Sequence, residues 1–242
     1  MTLENYFDEP VAARYDETSA EMFEPEALDP VLDLLVELAG DGRALELGIG
    51  TGRVALPLSQ RGVPVHGIDL SEEMVAKLRK KPGGAEIPVA IGDFSTTKVD
   101  GTFTVAYLVY NTILNLTSQD AQVACFQNVA SHLEPGGHFV IEVIVPQLQR
   151  LSGGETVIPF AFTDDYWGFD EYEVVEQGLR SHHFERVGDE IRYVSMPFRY
   201  AWPAELDLMA QLAGMKLRDR WAGWNREPFT AESRTHISVW EK

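Results

Sequence analysis

The sequence predicts an α/β fold with a doubly wound, mostly parallel sheet, an antiparallel terminal strand, and an antiparallel β insert between the fifth and sixth strands. Three observations support this prediction. Five apolar runs alternate with helical patterns over residues 43–145, as in βαβ units. A loop with three glycines follows the first run. Between residues 155 and 200 the pattern changes to the two-residue alternation of antiparallel strands.

The first half of the chain supplies three strands and three helices. Apolar side chains at helical spacing predict an amphipathic helix over residues 25–39, which Gly40 and Gly42 end. Ser71 is the predicted N-cap of a helix with an acidic first turn and a basic last turn, as the helix dipole favours. The other predicted elements are strands at 43–47, 63–69 and 87–91 and a helix at 51–61.

The second half begins with a strongly apolar strand at 102–110 and a helix at 118–133, which Pro135 and the two following glycines stop. A fifth strand is predicted at 138–145, and hairpins with a turn at 187–190 follow. The remaining elements are a helix at 203–214, a strand at 215–223 and the closing strand "HISVWEK". Because no helix follows it, the closing strand is expected at an antiparallel edge.

The predicted organisation has three parts, and 242 residues are within the range of one domain. Residues 1–30 form an N-terminal segment. Residues 31–150 and 201–242 form the α/β core. Residues 151–200 form the hairpin insert.

Composition limits the partners and the compartment. The net charge is −18, and in the first 40 residues eleven acidic side chains stand against one arginine. This charge repels nucleic acid and suits either a cationic substrate or a solvated face. No apolar run is long enough for a membrane span, and the N-terminus has no secretory pattern, so a cytoplasmic protein is expected. Cys125 is the single cysteine, which excludes an internal disulfide and a multi-cysteine zinc site, and no metal is predicted.

The glycine loop "ELGIGTGRVA" fits two cofactor patterns. Gly50 to Ala55 matches the dinucleotide fingerprint, whereas Glu46-x-Gly48-x-Gly50-x-Gly52 indicates a different adenosyl cofactor. In both cofactor patterns the loop backbone approaches the ligand closely, and Asp69 at the end of the next strand can accept hydrogen bonds from ribose hydroxyls. Three features favour the second pattern: Glu46 before the glycines, Asp93-Phe94 after the third strand, and "LEPGGHFVIE" after the fourth helix.

Four segments in order resemble the motifs of class I S-adenosylmethionine-dependent methyltransferases: "LELGIGTGRVALPL", "VHGIDLSEEMVAKLR", "IPVAIGDF" and "LEPGGHFVIE". The resemblance covers about residues 30–145, and one departure is Phe103-Thr104-Val105, where the family often has an acid. It implies S-adenosylmethionine as the cofactor and a Rossmann-like fold. It also implies that the core of residues 31–150 and 201–242 binds the cofactor, that residues 1–30 form an N-terminal lid segment, and that the insert of residues 151–200 covers a substrate pocket. The cofactor-binding residues that it implies are Tyr15, Glu46, Gly48, Gly50, Gly52, Asp69, Leu70, Met74, Asp93, Phe94 and Tyr110.

The acceptor side is predicted from the insert and the end of the fourth strand. His182 and His183 are the candidate catalytic bases, and a strand would place them on opposite faces, so that one faces inward. The candidate substrate-binding residues are Asn111, Tyr166, Trp167, Tyr172 and Arg199. Aromatic side chains in the insert suit an apolar or cationic substrate, and they equally suit a homodimer interface.

The sequence therefore predicts a methyltransferase that acts on a nitrogen or oxygen of a small molecule. Two alternatives from other classes are an NAD(P)-dependent oxidoreductase, through the Gly50–Ala55 pattern, and a non-catalytic cofactor-binding interaction protein. Aminopropyl transfer uses the same fold but needs acids after the fourth strand, and residues 110–116 have none.

Overall fold

The structure is a computed structural model that describes residues 15–17 and 20–242. The rest of the predicted lid segment, residues 1–14 and 18–19, lies outside the described residues. Within the described part, a seven-stranded sheet and a four-stranded sheet are joined by helices. The predicted α/β fold class with an antiparallel insert is confirmed.

The elements follow the predicted order. The helices are α1 (Pro25–Ala39), α2 (Ala55–Gln60), α3 (Glu72–Leu78), α4 (Gln119–His132) and α5 (Pro203–Leu212). The strands of the core are β1 (Ala44–Leu47), β2 (Val65–Asp69), β3 (Val89–Ile91), β4 (Phe103–Leu108), β5 (Leu133–Ile144), β10 (Lys216–Trp221) and β11 (Thr235–Glu241). The strands of the insert are β6 (Val157–Phe162), β7 (Tyr166–Glu173), β8 (Gly178–Val187) and β9 (Glu190–Arg199).

The large sheet has the order β10-β11-β5-β4-β1-β2-β3. Strands β1 to β5 are parallel, and β1 pairs with β2 on one side and β4 on the other. The order reverses between β1 and β4, and the carboxyl ends of strands at such a switch point form the usual ligand crevice. Two buried clusters cover the two faces: Leu35 of α1 and Leu58 of α2 lie in one, and Phe126 of α4 and Leu206 of α5 lie in the other.

The closing strand is antiparallel as predicted, but the prediction of an edge position is wrong. β11 lies between β5 and β10, and β10 forms the edge. The physical reason is that β11 is apolar on both faces. Val239 packs in the cluster on one side of the sheet and Trp240 in the cluster on the other, and both are fully buried.

β5 begins at Leu133, five residues before the predicted start. The Pro-Gly-Gly segment ends α4, as predicted, but it stays inside the strand as an irregularity in the pairing with β4. Gly136 has a left-handed φ of 80° and donates its N–H to the carbonyl of Lys242 (2.8 Å). The end of β11 therefore supplies hydrogen bonds that extend the strand through the glycines.

The insert is an antiparallel four-stranded sheet, β6-β7-β8-β9. The predicted turn at 187–190 is present, with Gly188 at a φ of 65° between β8 and β9. One face of this sheet, here called the inner face, buries Tyr172 and Leu179 against Tyr200. The other, outer face carries an aromatic row that includes Trp167, Phe184 and Tyr193. No helix in the described part of the chain is long and apolar enough to cross a bilayer.

Candidate active site

The glycine loop between β1 and α2 has a backbone conformation that residues with a side chain cannot adopt without strain. Gly48, Gly50 and Gly52 have φ values of 71°, 54° and 81°, in the left-handed region that favours glycine. A Cβ on Gly48 would lie 2.7 Å from the Cγ2 of Thr112, and one on Gly52 would collide with Leu78. The loop is therefore packed as bare backbone, which lets a ligand approach its amide groups.

Asp69 at the end of β2 holds this loop. Its Oδ2 accepts the N–H of Gly50 (2.6 Å) and its Oδ1 accepts the N–H of Ser71 (2.8 Å). Burial raises the pKa of Asp69, and these backbone hydrogen bonds lower it in part. A carboxylate has about four acceptor positions, so both oxygens retain capacity for further donors such as vicinal hydroxyl groups.

Glu46 in β1 is almost fully buried beneath the loop. Tyr107 of β4 donates its hydroxyl to Oε2 (3.0 Å). Burial raises the pKa of Glu46 to about 8, although the Tyr107 hydrogen bond and the charge of Arg53 lower it. In the cofactor-free protein this carboxyl is therefore protonated over much of the neutral range.

A second group of side chains follows the carboxyl ends of β2 and β3. Asp93 accepts the N–H of Ser95 at Oδ1 (2.7 Å), and Phe94 beside it is buried. Met74 of α3 is also buried, and its Cε lies 3.4 Å from the position that a Cβ on Gly50 would take. Leu70 is half-buried next to Asp69. These residues lie at the carboxyl ends of β2 and β3, next to the glycine loop.

Tyr110 and Asn111 follow β4 in left-handed conformations, with φ values of 56° and 61°. Such conformations cost about 1–3 kcal/mol for residues other than glycine and persist when the surroundings fix them. Glu142 of β5 fixes this turn: its Oε2 accepts the Tyr110 N–H (2.8 Å), and its Oε1 accepts the Nε1–H of Trp224 (2.9 Å). Asn111 accepts the N–H of Ile144 (2.8 Å) and so braces the same turn.

The brace leaves the ring of Tyr110 half-exposed, with the guanidinium of Arg53 5.7 Å from its centre. Tyr15 lies close enough to Arg53, Tyr110 and Asp69 to interact with them electrostatically, and burial raises the pKa of its phenol. Asp16 beside it pairs with Lys81 (2.5 Å). The described part of the lid segment therefore contacts the crevice.

The insert places the two candidate histidines on opposite faces. His183 lies on the inner face, where its Nδ1 is 2.6 Å from the Tyr166 hydroxyl and its Nε2 is 3.1 Å from the Oγ of Ser181. Tyr166 is also within electrostatic range of Tyr110. His182 lies on the outer face, stacked between Phe169 and Tyr193. Of the two predicted bases, only His183 faces the crevice.

Comparison with known proteins agrees with this geometry. A family model described as a methyltransferase domain matches residues 44–137. The solved structure of the CcbJ methyltransferase from Streptomyces caelestis is 36% identical, with a TM-score of 0.87 over 99% of this chain and 98% of that chain.

The chain is a class I S-adenosylmethionine-dependent methyltransferase.

Two further relatives are similar to the methyltransferase over nearly the full length of both chains. The cypemycin N-terminal methyltransferase of Streptomyces sp is 28% identical over 94% of this chain and 97% of its own. S-adenosylmethionine-bound CalS10, an amino pentose methyltransferase from Micromonospora echinaspora, is 22% identical, with a TM-score of 0.69 and 98% coverage of each chain. The second likeness shows that the two chains share the fold.

The crevice of the methyltransferase is compatible with S-adenosylmethionine. The bare backbone of the glycine loop leaves room for a ligand, and the acceptor capacity of Asp69 suits the two hydroxyls of a ribose. Glu46 under the loop is a carboxyl group whose ionised form a cationic ligand would favour, and this cofactor carries two cationic groups. The dinucleotide pattern beginning at Gly50 gives no role to Glu46 or Asp93, and family membership removes the oxidoreductase alternative.

Three predicted acceptor-site residues of the methyltransferase lie away from the crevice. Trp167 is on the outer face of the insert, where Arg186 stacks over its ring at 5.6 Å. Tyr172 is buried in the packing beneath the insert. Arg199 is 4% exposed, and it donates to Gln122 (2.6 Å) and Glu205 (2.7 Å). The predicted substrate contact of Arg199 is therefore corrected to an anchor between the insert and the core.

Other residues next to the predicted site were not predicted from the sequence. Glu142 and Trp224 come from distant segments and meet only in the folded sheet, although Glu142 is the last acid of "HFVIE". Asp170 and Ser181 are cross-strand partners on the inner face of the insert. Alternate residues of a strand share a face, so each of them lies on the same face as the residues two positions away. The cross-strand pairing of Asp170 with Ser181 follows only once the register of the hairpins is known.

Proposed function

We propose that this methyltransferase transfers the methyl group of S-adenosylmethionine to an amine nitrogen of a small molecule. The likeness to the cypemycin N-terminal methyltransferase carries this proposal, because it extends over 94% of this chain and includes the insert. The name of that relative describes transfer to an N-terminus. Methyl transfer to an oxygen is the other candidate, and the experiment below distinguishes the two acceptors.

The charge of the protein supports a basic acceptor. The chain has a net charge of −18, and eleven of its acids lie in the first 40 residues. A strongly negative surface raises the local concentration of cations and speeds their association. An amine that is protonated in solution would be attracted, whereas a carboxylate acceptor would be repelled.

We assign the cofactor-binding roles as follows. Asp69 accepts the ribose hydroxyls, Asp93 accepts the exocyclic amine of the adenine, and Glu46 balances the cationic amino-acid end. Gly48, Gly50 and Gly52 keep the loop backbone close to the ligand. The apolar walls are Leu70, Met74 and Phe94, and the lid contacts come from Tyr15 and Tyr110. When bound, the cofactor supplies a methyl group activated by a positively charged sulfur.

The acceptor lies, on this proposal, between Tyr110 and the inner face of the insert. Tyr110 is held by the Glu142 brace at the end of β4, and Tyr166 of β7 lies within electrostatic range of it. Two phenol rings and their hydroxyls offer a cationic amine both cation–π contact and hydrogen bonds. The lid segment and the insert would together exclude water from this space.

Matched acceptors test the proposal. Pairs of small molecules that differ only by an amine or a hydroxyl at one position would be incubated with S-adenosylmethionine, and S-adenosylhomocysteine release would be followed. We expect turnover with primary or secondary amines and at most background turnover with the matched alcohols and phenols. Preferential turnover of the hydroxyl member of the pairs would overturn the proposed acceptor and favour O-methylation.

A further inference from the structure

Four side chains on the inner face of the insert form a continuous hydrogen-bonded series, here called the Tyr166–Asp170 chain. The Tyr166 hydroxyl contacts Nδ1 of His183 (2.6 Å), and Nε2 of His183 contacts the Oγ of Ser181 (3.1 Å). Ser181 in turn hydrogen-bonds the carboxylate of Asp170, its cross-strand partner. All four side chains project from β7 and β8 to the same face.

The order of donors in this series follows from the chemistry of its last member. A carboxylate only accepts hydrogen bonds, so the hydroxyl of Ser181 donates to Asp170. The oxygen of Ser181 then accepts Nε2–H of His183. A neutral imidazole has one N–H, so Nδ1 of His183 is an acceptor and receives the hydroxyl proton of Tyr166. In this arrangement Nδ1 of His183 can receive the hydroxyl proton of Tyr166, while Ser181 and Asp170 accept hydrogen bonds on the far side of the ring.

The free end of the series is the hydroxyl of Tyr166, on the inner face of the insert. Tyr166 interacts electrostatically with Tyr110, and Tyr110 interacts with Tyr15, which lies near Asp69. The phenol oxygen of Tyr166 gives its own proton to His183 and retains lone pairs that can accept a second proton from a substrate. Among the described residues of the inner face, Tyr166 is the residue hydrogen-bonded to the imidazole of His183 on its Nδ1 side.

We propose that Tyr166 and His183 together remove a proton from the acceptor amine, with the Tyr166 hydroxyl as the catalytic group that touches the substrate and Ser181 and Asp170 as positioning residues. This inference rests on the amine acceptor proposed above. It assigns the base to a two-residue pair and not to a histidine that contacts the substrate directly.

The proton transfer balances within the chain. The N–H bond of the acceptor ammonium breaks, and its electron pair stays on nitrogen as the nucleophilic lone pair. The proton goes to the oxygen of Tyr166, while the hydroxyl proton of Tyr166 goes to Nδ1 of His183. His183 becomes an imidazolium that still donates Nε2–H to Ser181, and it returns its extra proton to solvent after product release.

The surroundings of His183 determine how the step depends on pH. The groups on the face of the ring are Tyr166 and Asp170 on β7, Ser181 and Glu185 on β8, Phe160 on β6 and Val194 on β9; the neighbouring His182 acts electrostatically from the outer face. Burial lowers the pKa of His183, Asp170 raises it and His182 lowers it, for a net decrease. The ring is therefore a neutral acceptor at neutral pH, and activity should fall as pH decreases through the pKa of His183.

The outer face offers a matched control for the test. There, the Tyr193 hydroxyl contacts Nδ1 of His182 (2.7 Å), which repeats the tyrosine–imidazole pair on the side of the sheet away from the crevice. Tyr166→Phe and Tyr193→Phe therefore remove the same atom from the same kind of hydrogen bond. We expect Tyr166→Phe to lower kcat about 100-fold and to abolish the acidic limb of the pH profile, while Tyr193→Phe stays within about twofold of the native protein.

Two readouts separate failure of this inference from failure of the proposed function. In nitrogen-15 NMR of the cofactor-free protein, we expect His183 to carry its proton on Nε2, with the Nδ1 signal shifted in Tyr166→Phe. Calorimetry should show the same affinity for S-adenosylhomocysteine in both variants. A proton on Nδ1, or wild-type kcat in Tyr166→Phe with an amine acceptor, would overturn the inference. Methylation of hydroxyl acceptors alone, with the expected NMR result, would overturn only the amine acceptor.

Discussion

At the scale of single residues, Glu46 links stability to cofactor binding. The side chain is buried under the glycine loop, and its pKa is raised to about 8. In the unfolded chain the same carboxyl loses its proton near its ordinary value of 4.5. Between these values the folded protein binds one more proton than the unfolded chain, so its free energy of unfolding falls as pH rises.

Replacing Glu46 with glutamine should separate these two effects. Glu46→Gln mimics the protonated side chain and can still accept the hydroxyl of Tyr107. It should raise the free energy of unfolding of the cofactor-free protein above pH 7, by about 1.4 kcal/mol for each pH unit above 4.5 at which the native side chain is held neutral, up to pH 8. It should also weaken S-adenosylmethionine binding about tenfold or more.

Urea denaturation at pH 5 and pH 8 and calorimetry at pH 7 check this prediction. The exposed Glu86→Gln is the control, and it should change neither quantity. If Glu46→Gln were destabilising at pH 8 and bound the cofactor normally, the assigned protonation state and the assigned role of Glu46 would both be wrong.

A substitution of Asp69 tests whether this residue accepts the ribose hydroxyls of the cofactor. Asp69→Asn keeps the shape of the side chain but replaces one carboxylate oxygen with a donor, so the N–H of Gly50 or Ser71 and one ribose hydroxyl lose an acceptor. We expect binding of S-adenosylhomocysteine to weaken by about 1–3 kcal/mol, as for a hydrogen bond to a charged group. Asp33→Asn, on the exposed side of α1, should leave the affinity unchanged. An unaltered dissociation constant in Asp69→Asn would remove Asp69 from the site.

At the scale of elements, the attachment of the insert to the core depends on a buried ion pair. Arg199 at the end of β9 donates to Gln122 of α4 and to Glu205 of α5. Burial alone would raise the pKa of Glu205, but hydrogen bonds from Arg199, Gln119 and Gln177 outweigh it and lower the pKa. The carboxylate is therefore stabilised in its charged form as long as these partners are present.

Removing the arginine should leave this partly buried carboxylate without its cationic partner, with only the Gln119 and Gln177 amides as donors. Arg199→Met is expected to lower the free energy of unfolding by about 3–5 kcal/mol, as for a broken buried pair. Arg192→Met on the same strand is the control, because its pair with Glu185 is exposed and such pairs contribute about 0–1 kcal/mol. Urea denaturation measures both. Equal, small losses would show that the anchor contributes little.

The elements also show how far the sequence could be interpreted. The helix over 25–39 and the turn at 187–190 were predicted with correct bounds, because helical spacing and the Val-Gly-Asp-Glu turn are local signals. The edge position of the closing strand was wrong, since Trp240 and Val239 find their partners on helices that are distant in the chain. A strand that is apolar on both faces indicates an interior position, and that pattern was available in the sequence.

Some residues of the candidate site could be predicted from local sequence, and others depend on the folded structure. The loop glycines and Asp69 belong to one βαβ unit, so their spacing in the sequence largely determines their spacing in space. The Glu142–Trp224 brace and the Tyr166–Asp170 chain depend on strand register and on loops that meet across the sheet. The sequence alone does not distinguish a structural arginine from a substrate-binding one. The burial of Arg199 and its hydrogen bond to Glu205 show that it anchors the insert to the core.

At the scale of the whole molecule, the net charge of −18 is expected to affect acceptor binding. Fields from many surface charges are screened within about 10 Å at 0.1 M salt. We therefore expect the KM of a cationic amine acceptor to rise several-fold between 20 mM and 300 mM sodium chloride, while the KM of an uncharged amine of similar shape stays nearly constant. Initial rates at fixed, saturating cofactor measure this. Identical salt dependence for the two acceptors would show that the surface charge has no part in recognition.

We propose that this methyltransferase places the methyl group on nitrogen. The most direct test is one reaction with S-adenosylmethionine labelled with carbon-13 at the methyl group and an acceptor that carries both an amine and a hydroxyl. Carbon-13 NMR of the product distinguishes the two sites, because N-methyl and O-methyl carbons have separate chemical shifts. We expect a single N-methyl resonance; a labelled O-methyl resonance without an N-methyl resonance would contradict N-methylation.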